Sequence, residues 1–484
     1  MSAFPPQCIS KILSWVSDDY STLHNVSSVN KLWCTQALCI LYRHPWKYLP
    51  EEFALPNAPN NNYSLVNHRV TKLCQTFINC IPPQSLKDLD QWEMIRETNT
   101  FKPLVDYLGY LREIDLIWLM SISWNTNSDL ANGTLDFCQF FISIEVAEIL
   151  AKYLWSKHGH RIRKLVLSRS IPLEQFLPLS SHSLLTTLDI ELVSFKLLHA
   201  DLINSTCSNL EVLKITATVV DDTAVAKVIS HQTPRSMKKL VIRSMESYSI
   251  HHTVDALLQY HSESITHLRL SMCILTLVEP QDKFLFNTAL SKLSQFPNLT
   301  SLKLAGWKLA DDDAMFNVAS SFRKLTKLRL ENIPFTSYTC EAIIRTAGVN
   351  LRQVTILTEN QELGNLLPVL AIHCPNILHL DIQKMRYQSK HLLQCLKSCC
   401  HLKTLKLGTI ENLEPRIGDE VIYGIAHSLL HLEYLYMGQS KISEASLHYF
   451  GPHPNLRCLR LNPFAYTFTP ERAHSLLGNR ISMA

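Results

Sequence analysis

From Ile162 onward one short pattern recurs: an apolar residue, two variable residues, then leucine, a variable residue and a second apolar one. The clearest copies are LEVLKI from Leu210, LTSLKL from Leu299, LTKLRL from Leu325, ILHLDI from Ile377, LKTLKL from Leu402 and LRCLRL from Leu456. IRKLVL, LTTLDI, MKKLVI, ITHLRL, LRQVTI and LEYLYM complete a set of twelve, with central positions running from Leu165 to Leu459. Their mean spacing is about 27 residues, too short for a separate domain and too regular for chance. Alternation of period two puts the two apolar positions on one side of a strand. One such strand cannot cover its own leucines; copies stacked beside it can.

Each copy continues as a helix. After LTSLKL comes ADDDAMFNVASSF, where Asp311 or Asp312 caps a helix that turns Met315, Val318 and Ala319 inward. Ser443 opens a helix over SEASLHYF, and C-P-N, F-P-N and H-P-N stop helices just before the next strand. A period inside 20–29 residues with a strand and a helix per unit is that of leucine-rich repeats. The expected fold class is α/β, a curved solenoid with a parallel sheet on its concave face. LREIDL at Leu111–Leu116 reads as a divergent first repeat, and TPERAHSLLG as a terminal capping helix. The expected organisation is therefore an N-terminal helical module over 1–47, a linker and helical spacer over 48–110, repeats over 111–464 (regular from 162) and a capping helix over 465–484.

The first 47 residues lack the period. Pro5-Pro6 start a helix with Cys8, Ile9, Ile12, Leu13 and Val16 on one side; a second short helix holds Leu23 and Val26; VNKLWCTQALCILYRHPW carries a third with Trp33, Ala37, Ile40 and Leu41 on a stripe. PEEFALPNAPNNN breaks the chain, and a helix from about Ser64 to Asn79 follows, ended by Pro82-Pro83. Three helices in about 45 residues make a thin core, and modules that small need a disulfide, a metal or a partner. The 14 cysteines form no C-x-x-C, and Cys399-Cys400 has no matching Cys or His pair, so zinc is disfavoured. No secretory signal pattern opens the chain and no apolar run reaches membrane-spanning length, which points to reduced cysteines in a cytoplasmic or nuclear protein. What remains is a helical docking module completed by another protein or by the adjoining repeats.

FPPQCISKILSWVS…VNKLWCTQALCILYR resembles an F-box, with matching positions Pro5, Ile12, Leu13, Val29, Lys31, Trp33, Leu41 and Arg43. Phe4, Gln7, Asn30 and Tyr42 depart from the usual leucine, acidic residue, cysteine and tryptophan. Joined to the repeats, the stretch looks like the F-box/leucine-rich-repeat proteins, in particular the expanded fungal type. The resemblance implies a substrate-recognition subunit of a Skp–cullin–F-box ubiquitin ligase. Phe4, Pro5, Ile9, Ile12, Leu13, Val29, Lys31, Trp33, Leu41 and Tyr42 would serve the Skp-family adaptor, through which a cullin is reached, and the repeats would select the protein to be ubiquitinated. The rival expectation is a leucine-rich-repeat protein-binding scaffold outside ubiquitin chemistry, its N-terminal helices capping the repeats.

No G-x-G-x-x-G, Walker loop, H-E-x-x-H or G-x-S-x-G occurs, and with 12 glycines in 484 residues phosphate-cradling loops are scarce. The expectation is a non-enzyme with no cofactor and no metal; His251-His252 and Asp311-Asp312-Asp313 read as ordinary histidines and helix capping. Net charge is only +4, yet the alternate strand positions expected on the concave face hold ten basic residues and four acidic ones. Lys214, Lys239, Arg243, Arg269, Lys303, Lys327 and Arg329 concentrate there and are the candidate substrate-binding residues, suited to an acidic or phosphorylated protein segment. A solvated lysine-rich surface is the alternative. Nucleic acid is disfavoured, because the face has few aromatics for bases to stack on apart from Tyr434 and Tyr436.

Overall fold

The computed structural model describes residues 6–17, 19–27, 29, 31–43, 107–115, 152–167, 173–177, 184–246, 249–272, 280–307, 310–333, 335–357, 366–383, 387–408, 418–438, 443–461 and 482–483. Two compact units are present: Met1–Leu192 with Leu198–Lys214, and Val193–Leu197 with Ile215–Ala484. Expectations for Phe4, Pro5, most of the spacer (44–106) and the helix after Thr469 fall outside the described residues.

The first unit opens with three helices, α1 (Pro6–Trp15), α2 (Tyr20–Val26) and α3 (Lys31–Leu41). Asp19 starts α2 by accepting the Thr22 N–H at 3.1 Å. Ile9, Leu13, Leu23, Ala37 and Leu41 form the buried centre, with Val16, Val26, Leu32, Trp33, Ile40 and Tyr42 packed around it. Of the stripe expected on α1, Ile9, Leu13 and Val16 face this centre, whereas Cys8 and Ile12 are exposed. A 3-10 turn at Tyr107–Tyr110 follows, then strands β1 (Glu113–Asp115) and β2 (Lys164–Leu167), helix α4 (Leu173–Phe176) and nearly all of helix α5 (Leu197–Thr206); strands β3 (Thr187–Phe195) and β4 (Val212–Val220) begin in this unit and end in the second. β1, β2 and β3 are parallel, with Ile114 opposite Leu165 and Leu165 opposite Leu188.

The second unit repeats strand and helix in strict alternation. Its helices are α6 (Asp222–His231), α7 (His251–His261), α8 (Pro280–Ser291), α9 (Asp312–Ala319), α10 (Ser337–Ala347), α11 (Leu366–His373), α12 (Ser389–Ser398), α13 (Asp419–Ser428) and α14 (Glu444–Leu447). Its strands are β5 (Lys239–Ser244), β6 (His267–Met272), β7 (Ser301–Ala305), β8 (Lys327–Glu331), β9 (Gln353–Leu357), β10 (His379–Ile382), β11 (Thr404–Leu407), β12 (Tyr434–Met437) and β13 (Cys458–Leu461). Each pairs in parallel with the next, and the register aligns the repeat frame. Leu240, Leu268, Leu302, Leu328, Val354, Leu380, Leu405, Leu435 and Leu459 thus form one row, none more than 1% exposed. The α/β repeat architecture expected from the sequence is the one present.

Side chains tie successive repeats together at the ends of several helices. At the start, an aspartate in the first turn of one helix accepts backbone N–H groups from the start of the next. Asp222 takes His252 and Thr253 at 2.8 and 3.0 Å, Asp312 takes Thr336 at 2.8 Å, and Asp419 takes Ser443 at 3.1 Å. Asp311 and Ser443 also cap their own helices, and Met315, Val318 and Ala319 are buried. At the far end, asparagines donate to carbonyls of the preceding repeat: Asn298 to Glu263, Asn350 to Arg323, Asn376 to Val349 and Asn455 to Leu430, at 2.7–3.1 Å. Three of these are the asparagines of F-P-N, C-P-N and H-P-N, so the motif both stops a helix and binds its neighbour. Buried His261 and His453 likewise meet the carbonyls of Ile229 and Leu429, each at 3.0 Å through Nε2.

One expectation changes. The sequence predicts a capping helix over 465–484, but Ser482–Met483 form a strand, β14, that continues the frame by pairing Met483 with Leu459. Two residues, Ser482 and Met483, are too few to carry a periodicity that would reveal a strand.

Candidate functional site

The N-terminal module presents one candidate surface. Of the residues assigned to it, Ile9, Leu13 and Leu41 lie in its core, Leu38 beside them is buried, and Trp33 and Tyr42 pack at its edge half-buried. Ile12 and Val29 face outward, the latter 63% exposed. Sequence spacing missed Trp15, at the end of α1, which is 79% exposed. Nothing in the periodicity distinguishes an outward tryptophan from an inward one one turn away. The end of the module is joined to the start of the strands. The Tyr42 ring lies 4.6 Å from that of Tyr107, and the Arg112 N–H donates to the Arg43 carbonyl at 3.1 Å.

The second candidate surface is the face of the sheet opposite the leucine row in the second unit. Register places side chains there on a grid about 4.8 Å from strand to strand. One column reads Lys239, His267, Ser301, Lys327, Gln353 and His379; the next reads Val241, Arg269, Lys303, Arg329, Thr355 and Asp381. A third reads Arg243, Ser271, Ala305, Glu331 and Leu357. Six of the seven assigned basic residues therefore share four adjacent strands, β5 to β8. The seventh, Lys214, belongs to the first unit and pairs there with Asp189. Val241 and Thr355 are on this face yet only 4% and 3% exposed, beside Arg269 and Arg329 in the register. Apolar stems of long cationic side chains cover surface in this way.

Lys303 and Arg329 share the Glu331 carboxylate, with Arg269 in the next strand feeling the same charges. Glu331 bonds Lys303 at 2.7 Å and also bonds Arg329. Burial would raise the Glu331 pKa, but those bonds and the positive charge of Lys303 and Arg329 outweigh it and hold the carboxyl below its ordinary range. Burial pulls Lys303 down, and its neighbours Arg329 and Arg269 add to that against the pull of Glu331. Arg269 is likewise lowered by burial and then by Arg243 and Arg329. His267 is lowered by burial, Lys239 and Lys327. All of these signs describe cations crowded together beyond what one carboxylate balances. Further along the sheet the charges are matched: Lys406 lies 3.7 Å from Asp381.

No group of three metal-ligating side chains occurs among the described residues, and no helix there is long and apolar enough to cross a membrane. Sequence and structure together define a leucine-rich type of strand–helix repeat array preceded by three helices. No sequence-family model and no curated protein matches the chain. Among solved structures, it is similar to a chain of the crystal structure of the yeast Rad7 and Elc1 complex. That match has 13% identity, covers 74% of this chain and 93% of that one, and has a TM-score of 0.39, a level at which the likeness carries no functional weight.

Proposed function

We propose that this chain is a non-catalytic receptor subunit of a cullin-based ubiquitin ligase, working in the cytoplasm or nucleus. Helices α1 to α3 dock a Skp-family adaptor, which brings the cullin, and the sheet face of the repeats holds the protein to be ubiquitinated. The observation that carries the proposal is the outward placement of Trp15, Val29 and Ile12 on a module whose described residues bury six apolar side chains, Ile9, Leu13, Leu23, Ala37, Leu38 and Leu41. An exposed tryptophan on so thin a core suits a surface that a partner completes. The resemblance of the same stretch to an F-box gives that partner its class, and the repeats beside it supply a recognition surface. Co-precipitation of the full chain with a Skp-type adaptor, compared with a chain lacking residues 1–47, tests the proposal. Adaptor recovery with the full chain only is expected; equal recovery from both sinks it.

A second reading has its own observation. The Tyr42–Tyr107 contact and the Arg112–Arg43 hydrogen bond join the module to the first strands, as a simple cap would be joined. On that reading the chain is a protein-binding scaffold, and no adaptor is recovered with either form.

A further inference from the structure

Where the strands of the first unit begin, arginine recurs on consecutive rungs of the backbone ladder. The Arg112 N–H donates to the Arg43 carbonyl at 3.1 Å, and the Arg163 N–H donates to the Arg112 carbonyl at 2.8 Å. Pairing of Glu113 with Lys164 sets Arg112 and Arg163 side by side, one residue ahead of β1 and β2, with rungs about 4.8 Å apart. Arg161 ends the 3-10 turn just before β2. Burial holds the Arg112 guanidinium below its ordinary range, and the charges of Arg161, Arg43 and Arg163 push it lower still. The four side chains therefore make one cationic cluster within the first unit, separate from the β5 to β8 face of the second. Arg43, Arg161 and Arg163 are exposed, and Arg112 is half-buried. The Glu113 carboxylate, next to Arg112 in sequence, bonds Lys164 at 3.2 Å. Among the described residues nothing pairs with the guanidinium of Arg43 or Arg163. Like charges on adjacent rungs are destabilising, so the free chain carries a repulsion that it does not relieve internally at those two positions. We propose that Arg43, Arg112 and Arg163, with Arg161 behind them, bind a carboxylate-rich segment of a partner protein along this rim. The inference goes beyond the proposed function and stands whether or not an adaptor docks on α1 to α3.

Charge and shape select the ligand. Each guanidinium presents a planar fork that matches one carboxylate through two hydrogen bonds. Three forks on successive rungs span about 10 Å, which suits several anionic groups in series rather than one small oxyanion. Small ligands are held in concave sites, whereas three of these four side chains stand exposed. Single-stranded nucleic acid also offers anions in series, but it binds through aromatic faces left free for its bases. The Tyr42 ring, beside Arg43 in sequence, instead packs on Tyr107 with ring centres 4.6 Å apart. A protein segment rich in glutamate or aspartate meets each condition: it brings charges in series and needs neither a pocket nor an aromatic platform. Bound along the rim, its carboxylates stand between the guanidinium groups and remove the repulsion from rung to rung. The same arginines that destabilise the free chain are then the ones that hold the ligand, and that opposition separates a binding role from a structural one.

The test uses the full-length chain and three probes: a short peptide of alternating glutamate and serine, the same peptide with glutamine for glutamate, and a single-stranded oligoribonucleotide of equal charge. Titration calorimetry at physiological salt should show the glutamate peptide binding at least roughly tenfold more tightly than the glutamine peptide. Arg43→Gln combined with Arg163→Gln should weaken it roughly tenfold or more. Arg323→Gln combined with Lys397→Gln removes the same charge from exposed positions of the second unit and should change the affinity less than about twofold. Thermal melts of the free chain supply the second readout. Arg163→Gln should raise the melting temperature, because it relieves repulsion between rungs, and the gain should shrink as salt is added. Equal binding of the two peptides, retained binding by the Arg43 and Arg163 double variant, or a melting temperature lowered by Arg163→Gln overturns the proposal. Tighter binding of the oligoribonucleotide through the same arginines overturns the assignment of a protein ligand.

Discussion

At the residue scale, alternation decides what each side chain does. Leu328 is fully buried and Lys327 beside it is exposed. Leu328→Ala should cost ~2–5 kcal/mol, because it removes methyl groups and leaves a cavity in a close-packed row. Lys327→Ala should stay within about 0.5 kcal/mol, as surface changes do. Chemical denaturation of both variants checks this, and comparable losses would show that the strand frame is misplaced. Gly306 is constrained differently. Its φ is +76°, and a Cβ there would come within 1.6 Å of the Met272 carbonyl oxygen, so Gly306→Ala should be among the most damaging substitutions in the second unit. Glu331 sets an acid response. Its folded pKa lies below the ordinary value of 4.5, so its bonds to Lys303 and Arg329 stabilise fully above that value and are lost as pH falls through the folded pKa. Thermal melts of the wild type should steepen their decline below about pH 4.5, and Glu331→Gln should flatten that decline.

At the scale of elements, capping across repeats holds one helix to the next. Asp312 meets both the N–H and the hydroxyl of Thr336, at 2.8 and 2.6 Å. Asp312→Ala should therefore cost ~0.5–2 kcal/mol even though the residue lies at the surface; a change near zero in urea melts would deny the link. His261 and His453 do the same task at the other helix ends. Burial lowers both pKa values against the smaller opposing effect of their backbone hydrogen bonds. A lowered folded pKa means that the unfolded chain takes the proton first, so their contribution is present above about pH 6.5 and declines as pH falls below it. Replacing His261 with glutamine should remove part of that decline between pH 7 and 5.5. These links also explain what the sequence could reveal. The leucine frame, Asp311 as a cap and the F-P-N, C-P-N and H-P-N stops are local, and periodicity displays them. That Asp312 serves the following repeat, that Glu331 bonds Lys303 and Arg329, and that Ser271 and Ala305 lie side by side all depend on register between strands about 27 residues apart, which no single window contains.

At the scale of the whole molecule, the proposed function gives separate tasks to two surfaces, the outward apolar residues of α1 to α3 and the cationic sheet face of β5 to β8. The first was legible only in part. Of the residues the F-box resemblance assigns to the adaptor, Ile12 and Val29 face outward while Ile9, Leu13 and Leu41 hold the module's core, and the resemblance does not include the exposed Trp15. Residue type marks a position as apolar without saying whether the chain or a partner covers it. Leu13→Ala should therefore act by loosening the core, at ~2–5 kcal/mol, rather than by trimming a contact. The most direct measurement is the affinity of purified Skp-family adaptor for the full chain and for a Trp15→Ser, Val29→Ser double variant whose helical circular dichroism and melting temperature are unchanged. The account predicts a stable complex with the wild-type chain and an affinity at least tenfold weaker with the variant. Absence of a complex with the wild-type chain, or equal affinity for both, would contradict it.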